Sequence, residues 1–135
     1  MFVWPTPKPA VLIGIAILAE AFGTYASVSA KLPARNRPDR FVRVSRVGGG
    51  QSIIATDNAR LLVECFAKDV GQVEAMCNTA RAALRNAAGT TVTSDGVSAF
   101  VRAWDNENGP ADYPHPDIVE WERWQLSGDL SLKAN

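Results

Sequence analysis

The 135-residue chain has one histidine, two cysteines and no excess of charge of either sign. Fourteen Lys and Arg balance fourteen Asp and Glu, so the basic footprint of a nucleic-acid binder is missing. Cys65 and Cys77 are too few for a disulfide scaffold, and no CxxC pair suggests zinc. Both fall in apolar-periodic segments, where buried free thiols are expected. The almost unbroken apolar run Ala10 to Ala19 is ten residues long, half of the about 20 that a membrane span needs. No phosphate loop, dinucleotide fingerprint or HExxH motif occurs. Gly48-Gly49-Gly50 is followed by neither a Lys-Ser/Thr pair nor a helix start, so it reads as a hairpin tip. His115 sits between Pro114 and Pro116 in an acidic loop, with no nucleophile and orienting acid to make a triad. Asp105, Glu107, Asp112 and Asp117 match no calcium-loop spacing, and Pro110 and Pro114 interrupt them. The sequence therefore predicts no catalytic, metal-binding or cofactor-binding residues, and a chain that is not an enzyme.

What is present is material for one globular domain over residues 1–135, with 47% hydrophobic and 21% charged residues. Its neutrality removes the self-repulsion that keeps monomers apart and so favours assembly. Residues 1–8 form an arm with Pro5 and Pro7, and Pro9 suits the first turn of a helix predicted over 9–22. That helix is apolar nearly all round, which requires cover on several sides, and Gly23 ends it. Alternation over 27–32 predicts a strand, which the PARNRPDR stretch breaks. A second strand, 41–47, runs into the glycines, and the connection continues to Asp57-Asn58. A third, 59–67, carries apolar groups on both faces, as an interior strand does.

Asp69 can cap a helix over 69–88, whose inward stripe is Val73, Met76, Cys77, Ala80, Leu84 and Ala87. A strand over 97–104 precedes a polar connection, 105–117, with three prolines. The closing strand sets Trp124, Leu126, Leu130 and Leu132 against Arg123, Gln125, Ser127, Asp129, Ser131 and Lys133. The fold class is α/β of the α+β kind, a mostly antiparallel four- to five-stranded sheet packed against two helices. No internal repeat is visible.

Two groups of residues read as contact surface. Arg35, Arg37, Arg40, Arg43 and Arg46 fall within twelve positions without interleaved aromatics to stack bases. Arginine favours subunit interfaces, and a channel lining would also accommodate it. The loop candidates are Gly48, Gly49 and Gly50, together with Trp104, Tyr113 and Trp121 around the long polar connection, because such connections tend to be functional.

The order of these elements resembles a known family. The residues that carry the likeness are the apolar first helix, FVRVSRVGG over 41–49, DNARLLVECFA over 57–67, the alanine-rich helix, and Pro116-Asp117 followed by RWQL over 123–126. This order is similar to that of the tail terminator, or tail completion, proteins of siphophages, especially those infecting actinobacteria. The likeness spans residues 9 to 133, and the arm lies outside it. It implies an α/β subunit of a six-membered ring that seats on the last ring of the tail tube, stops tube polymerisation and offers a surface for head attachment. The partners so implied are further copies of the chain, the tail tube protein, a head-tail connector or stopper protein, and genome DNA passing through the lumen without sequence-specific binding. No membrane is involved. The location implied is the virion's head–tail junction, and the host cytoplasm during assembly.

Two other readings share parts of the pattern. A stopper or adaptor-type connector would have the same size, neutrality and symmetry. An exported cell-envelope domain would use residues 1–30 as a signal cleaved after Ser27-Val28-Ser29-Ala30, and would pair Cys65 with Cys77. The single cation, Lys8, ahead of the apolar run makes a poor signal n-region. If the arginines serve assembly, charge reversal at Arg43 and Arg46 is expected to weaken the ring and leave the monomer folded.

Overall fold

A computed structural model describes residues 4–53 and 55–134. Helix α1 spans Ala10–Phe22, with Pro9 as the residue before its first turn and Gly23 closing it at φ 56°. The strands are β1 (Ser27–Ser29), β2 (Phe41–Ile53) and β3 (Thr56–Ala67). Helix α2 (Val70–Asn86) follows, then β4 (Thr91–Ser94), β5 (Val97–Asp112) and β6 (Glu122–Lys133). Asp69 caps α2 by accepting a hydrogen bond from the Gln72 backbone N–H at 3.1 Å.

The sheet has six strands in the order β1-β2-β3-β6-β5-β4, one more than the upper expectation. All its pairings are antiparallel except that of β1, which is shorter than predicted and runs parallel to the start of β2. The added strand is β4. Its signal was present in Thr91-Val92-Thr93-Ser94-Asp95-Gly96, an alternating run ending in the Asp-Gly pair that two-residue hairpins prefer. Asp95 and Gly96 take the positive φ angles of 49° and 76° that such a turn requires.

The glycines are a second departure. Gly48, Gly49 and Gly50 are not a hairpin tip but part of β2, paired with Arg60, Ala59 and Asn58, so Asp57 and Asn58 belong to β3. The register shifts between Arg46 and Gly48, as at a β-bulge. Gly49 sits there at φ 82°, and a Cβ on it would run into the Asn58 carbonyl oxygen. Glycine is thus needed for a kink within the strand. The long connection is the third departure, because β5 continues to Asp112 through register shifts after Val101, Asp105 and Asn108. Irregular pairing of this kind hides a strand from period-2 reading.

Both helices cover one face of the sheet. Ile13 and Leu18 of α1 and Val73, Cys77, Ala80 and Leu84 of α2 are fully buried against Val44, Leu61, Val63, Cys65, Leu130 and Leu132. The thiols of Cys65 and Cys77 are free, and the hydrogen bond between them, with burial, raises Cys65 well above the ordinary thiol range. Trp104 lies over Gly128, where any Cβ would strike its ring. A smaller cluster on the opposite face joins Phe41, Phe66 and Ile118 to Leu32 and Trp121.

Leu126 is 1% exposed at the centre of β6. Leu126→Asp is expected to abolish cooperative unfolding, because burying an unpaired carboxylate costs several kcal/mol against a total stability of about 5–15 kcal/mol. Circular dichroism melting of the purified variant checks this, and a soluble protein with a wild-type transition would remove Leu126 from the core.

Candidate functional site

On the face away from the helices, β2, β3 and β6 set a row of polar side chains side by side. Register places Arg43 beside Glu64 and Gln125, Ser45 beside Leu62 and Ser127, and Arg60 beside Asp129. Glu64 is 3% exposed, and a buried carboxylate must be paired. Arg123 pairs it through Nε at 2.9 Å and Nη2 at 2.6 Å to Oε2, while Arg43 approaches Oε1 at 3.6 Å. Arg123 also donates to the Tyr113 carbonyl at 2.7 Å, which pins the segment after β5 across the sheet end. That segment carries Ile118 and Trp121 onto Phe41 and Phe66, which stack at 4.4 Å between centroids. The Trp121 indole N–H donates to the Pro38 and Asp39 carbonyls, and Lys68 Nζ lies 3.4 Å above its ring. Farther along the same face, Arg60 donates to Asp129, Ser127 and the Asn106 carbonyl.

The five arginines expected at an interface divide in this frame. Arg46 makes a two-pronged pair with Asp57 at 2.9 and 3.0 Å. That hydrogen bond holds the Arg46 guanidinium above its ordinary pKa, against an opposing effect of burial. Arg43 serves Glu64. Arg40 donates to the Tyr25 carbonyl and lies 4.2 Å over the Tyr25 ring. Arg37 donates to the Pro33 carbonyl and faces the Trp121 ring at 5.8 Å. Arg35 is exposed, and of the five it alone shows no partner among the described residues. The cluster is therefore largely used within the subunit. Charge reversal at Arg43 and Arg46 is therefore expected to destabilise the monomer as well as any assembly, since it would set like charges against the buried Glu64 and Asp57.

Of the loop candidates, Tyr113 is 59% exposed, and Gly48, Gly49 and Gly50 are exposed along β2 beside Val47 and Ile53. Trp121 is half-buried in the small cluster. Trp104 is not a surface residue: at 7% exposure it packs inward from β5, because the strand that carries it extends through the supposed loop. Its indole N–H donates to Glu107 at 2.9 Å. Arg81 and Arg85 of α2 reach the other Glu107 oxygen at 2.6 and 3.0 Å. Burial pushes the Glu107 carboxyl up, but Trp104, Arg81 and Arg85 outweigh it and hold the group below its ordinary 4.5. Of the four acidic residues in the predicted loop, Glu107 thus ties β5 to α2, and no cluster able to hold a metal occurs among the described residues. His115 accepts from the Asp117 backbone N–H through Nδ1.

The charged residues that sequence reasoning missed are Arg60, Glu64, Arg123 and Asp129. Glu64 inside the apolar run of 61–67 was the available signal, because a buried carboxylate demands a cation on an adjacent strand.

Neither a family model nor a curated protein matches this sequence. The fold is similar to that of a chain from the virion of a native gene transfer agent particle, with a TM-score of 0.51 and 13% identity. The match covers 93% of this chain and 99% of that one, and at such identity it is a likeness of fold.

Arg46→Glu is expected to lower stability by about 2 kcal/mol, between the values for exposed and for buried pairs, as read by urea unfolding. An unchanged midpoint would show that Asp57 needs no cation. Glu107→Gln is expected to cost about 1.5–3 kcal/mol, the range for hydrogen bonds to charged groups. Because the folded protein lowers the Glu107 pKa, its contribution is complete above the unfolded carboxyl's pKa and is lost as pH falls through the lower, folded value. The gap between wild type and Glu107→Gln should therefore narrow in acid, and a gap independent of pH would refute the assignment.

Proposed function

We propose that this protein is a structural component of a phage-type particle, and specifically a tail terminator. In this reading copies of the chain form a ring that caps the tail tube, ends its polymerisation and receives the head connector, and the chain performs no reaction of its own. The observation that carries the reading is the fold shared over nearly the whole length of both chains with a gene transfer agent virion component. The order of elements noted in the sequence points the same way. A closed ring needs two different surfaces on each subunit, one for each neighbour. The two ends of this sheet are also unlike, as the two faces of such a ring would be. One carries the β2–β3 hairpin with exposed Val47 and Ile53, and the other the Arg123-pinned segment with exposed Tyr113 and Val119. These ends are the candidates for contacting tube and connector, at the head–tail junction of the virion and, before that, in the host cytoplasm.

The envelope reading requires residues 1–30 to be removed. That would take away α1 and β1 and strip Ile13, Ile17, Leu18 and Phe22 from the core, so the remaining sheet would lose half of its cover.

Electron microscopy of particles made without this protein tests the role. Overlong or irregular tails beside unattached filled heads are expected. Tails of normal length that fail only to join heads would transfer the protein to a stopper or adaptor role, and normal virions would overturn both.

A further inference from the structure

The arm that precedes α1 has a chemistry that the terminator reading does not use. It runs Trp4-Pro5-Thr6-Pro7-Lys8-Pro9, with Trp4 72% exposed and Thr6, Pro7 and Pro9 also exposed. In extended backbone, successive residues aim their N–H and C=O groups at opposite edges. Pro5, Pro7 and Pro9 therefore share one edge, and none of them has an N–H to donate. Trp4, Thr6 and Lys8 share the other edge with donors intact. Alternate prolines make this arm a one-sided strand, able to add to a sheet on one edge and unable to extend it further.

A matching edge exists on the same fold. The two-residue turn at Asp95-Gly96 makes Ser94 and Val97 a hydrogen-bonded pair, so Val92 also points toward β5. Thr91 and Thr93 then direct their N–H and C=O groups outward, away from the sheet. Beside them lies a groove of about 550 Å³ between β4, the second half of α1 and the end of α2. Its apolar wall includes Ala16, Ile17, Ala21 and Ala87, and Glu20 stands at its rim. No described arm residue lines it. Neither Glu20 nor Lys8 forms an ion pair among the described residues. The arm starts from the first turn of α1, whereas the groove lies along the second half of that helix.

We propose that the arm of one copy adds as an edge strand to β4 of a second copy, with Trp4 on the apolar wall and Lys8 at Glu20. Backbone bonds to Thr91 and Thr93 set its register, and burial of an indole, about 150–250 Å², provides the anchor. The contact joins two different patches, so it propagates head to tail and makes a ring where the rotation between copies closes. It depends on contact between copies and not on where in the particle the ring sits.

Complementation between two defective chains tests this. One lacks residues 1–8 and keeps its groove. The other carries Thr93→Pro, which blocks an outward donor and spares the pairing with β5, and keeps its arm. Ala21→Arg, at an exposed helix position, is the alternative block if Thr93→Pro fails to melt cooperatively. Light scattering of the full chain should show assembly, and each defective chain alone should dissociate at a concentration at least tenfold higher. Their equimolar mixture should form a heterodimer with one arm in one groove. A mixture that stays monomeric while the full chain assembles would overturn the proposal and leave the arm in its own groove or elsewhere. Assembly of the armless chain equal to that of the full chain, or a full chain that is monomeric throughout, would overturn it as well. A heterodimer would stand even if particles lacking the protein had tails of normal length, so the two readings fail separately.

Discussion

The Glu64 carboxylate is buried toward the end of β3, on the face that no helix covers. An isolated charge there would be far too costly, and the pairing it demands organises that whole side of the molecule. Arg43 answers from β2 and Arg123 from β6, so one anion ties three adjacent strands. Arg123 donates from Nη1 to the Tyr113 carbonyl and thereby holds the segment leading to Trp121. Ile118 and Trp121 then cover Phe41 and Phe66, which would otherwise leave two aromatic rings open to water. The second hydrophobic cluster thus depends on an ion pair, whereas the first rests mainly on helix burial.

That difference explains which parts of the fold were legible in the sequence. The helix side follows from periodicity. Every member of the α2 stripe from Val73 to Ala87 is buried, and Asp69 caps as its position suggested. The interior character of β3 was also readable, because Leu61, Val63 and Cys65 alternate with Leu62, Glu64 and Phe66. The opposite face was not legible. Its order comes from pairs such as Glu64–Arg123 and Arg60–Asp129, 59 and 69 positions apart in the chain, and no local pattern announces such partners. The arginine cluster divides for the same reason, since four of its five cations go to separate acceptors in space.

Strand ends failed through backbone irregularity. Glycines usually punctuate, yet Gly48 to Gly50 continue β2, because the bulge there needs a residue without Cβ where the chain passes Asn58. Prolines usually interrupt, yet Pro110 lies within β5, where one edge beyond the β4 pairing has no neighbouring strand among the described elements. Glu107 was read as one of four loop acids and instead anchors that irregular strand to α2 through Arg81 and Arg85.

The same irregularity bears on assembly. A sheet that must join copies in one way only has to make its other edges unattractive. The outer half of β5 does so with two register shifts, a left-handed Asn106 and Pro110, which break the even spacing that a partner strand would follow. β1 does so by being three residues long. The short edge of β4 is regular by contrast, with four residues in unbroken register beside an apolar groove. Regularity at β4, set against disruption along most of β5, concentrates pairing capacity on that side of the sheet at one small edge. A small edge suits a contact that holds one pair of copies and is strengthened further when a closed ring repeats it.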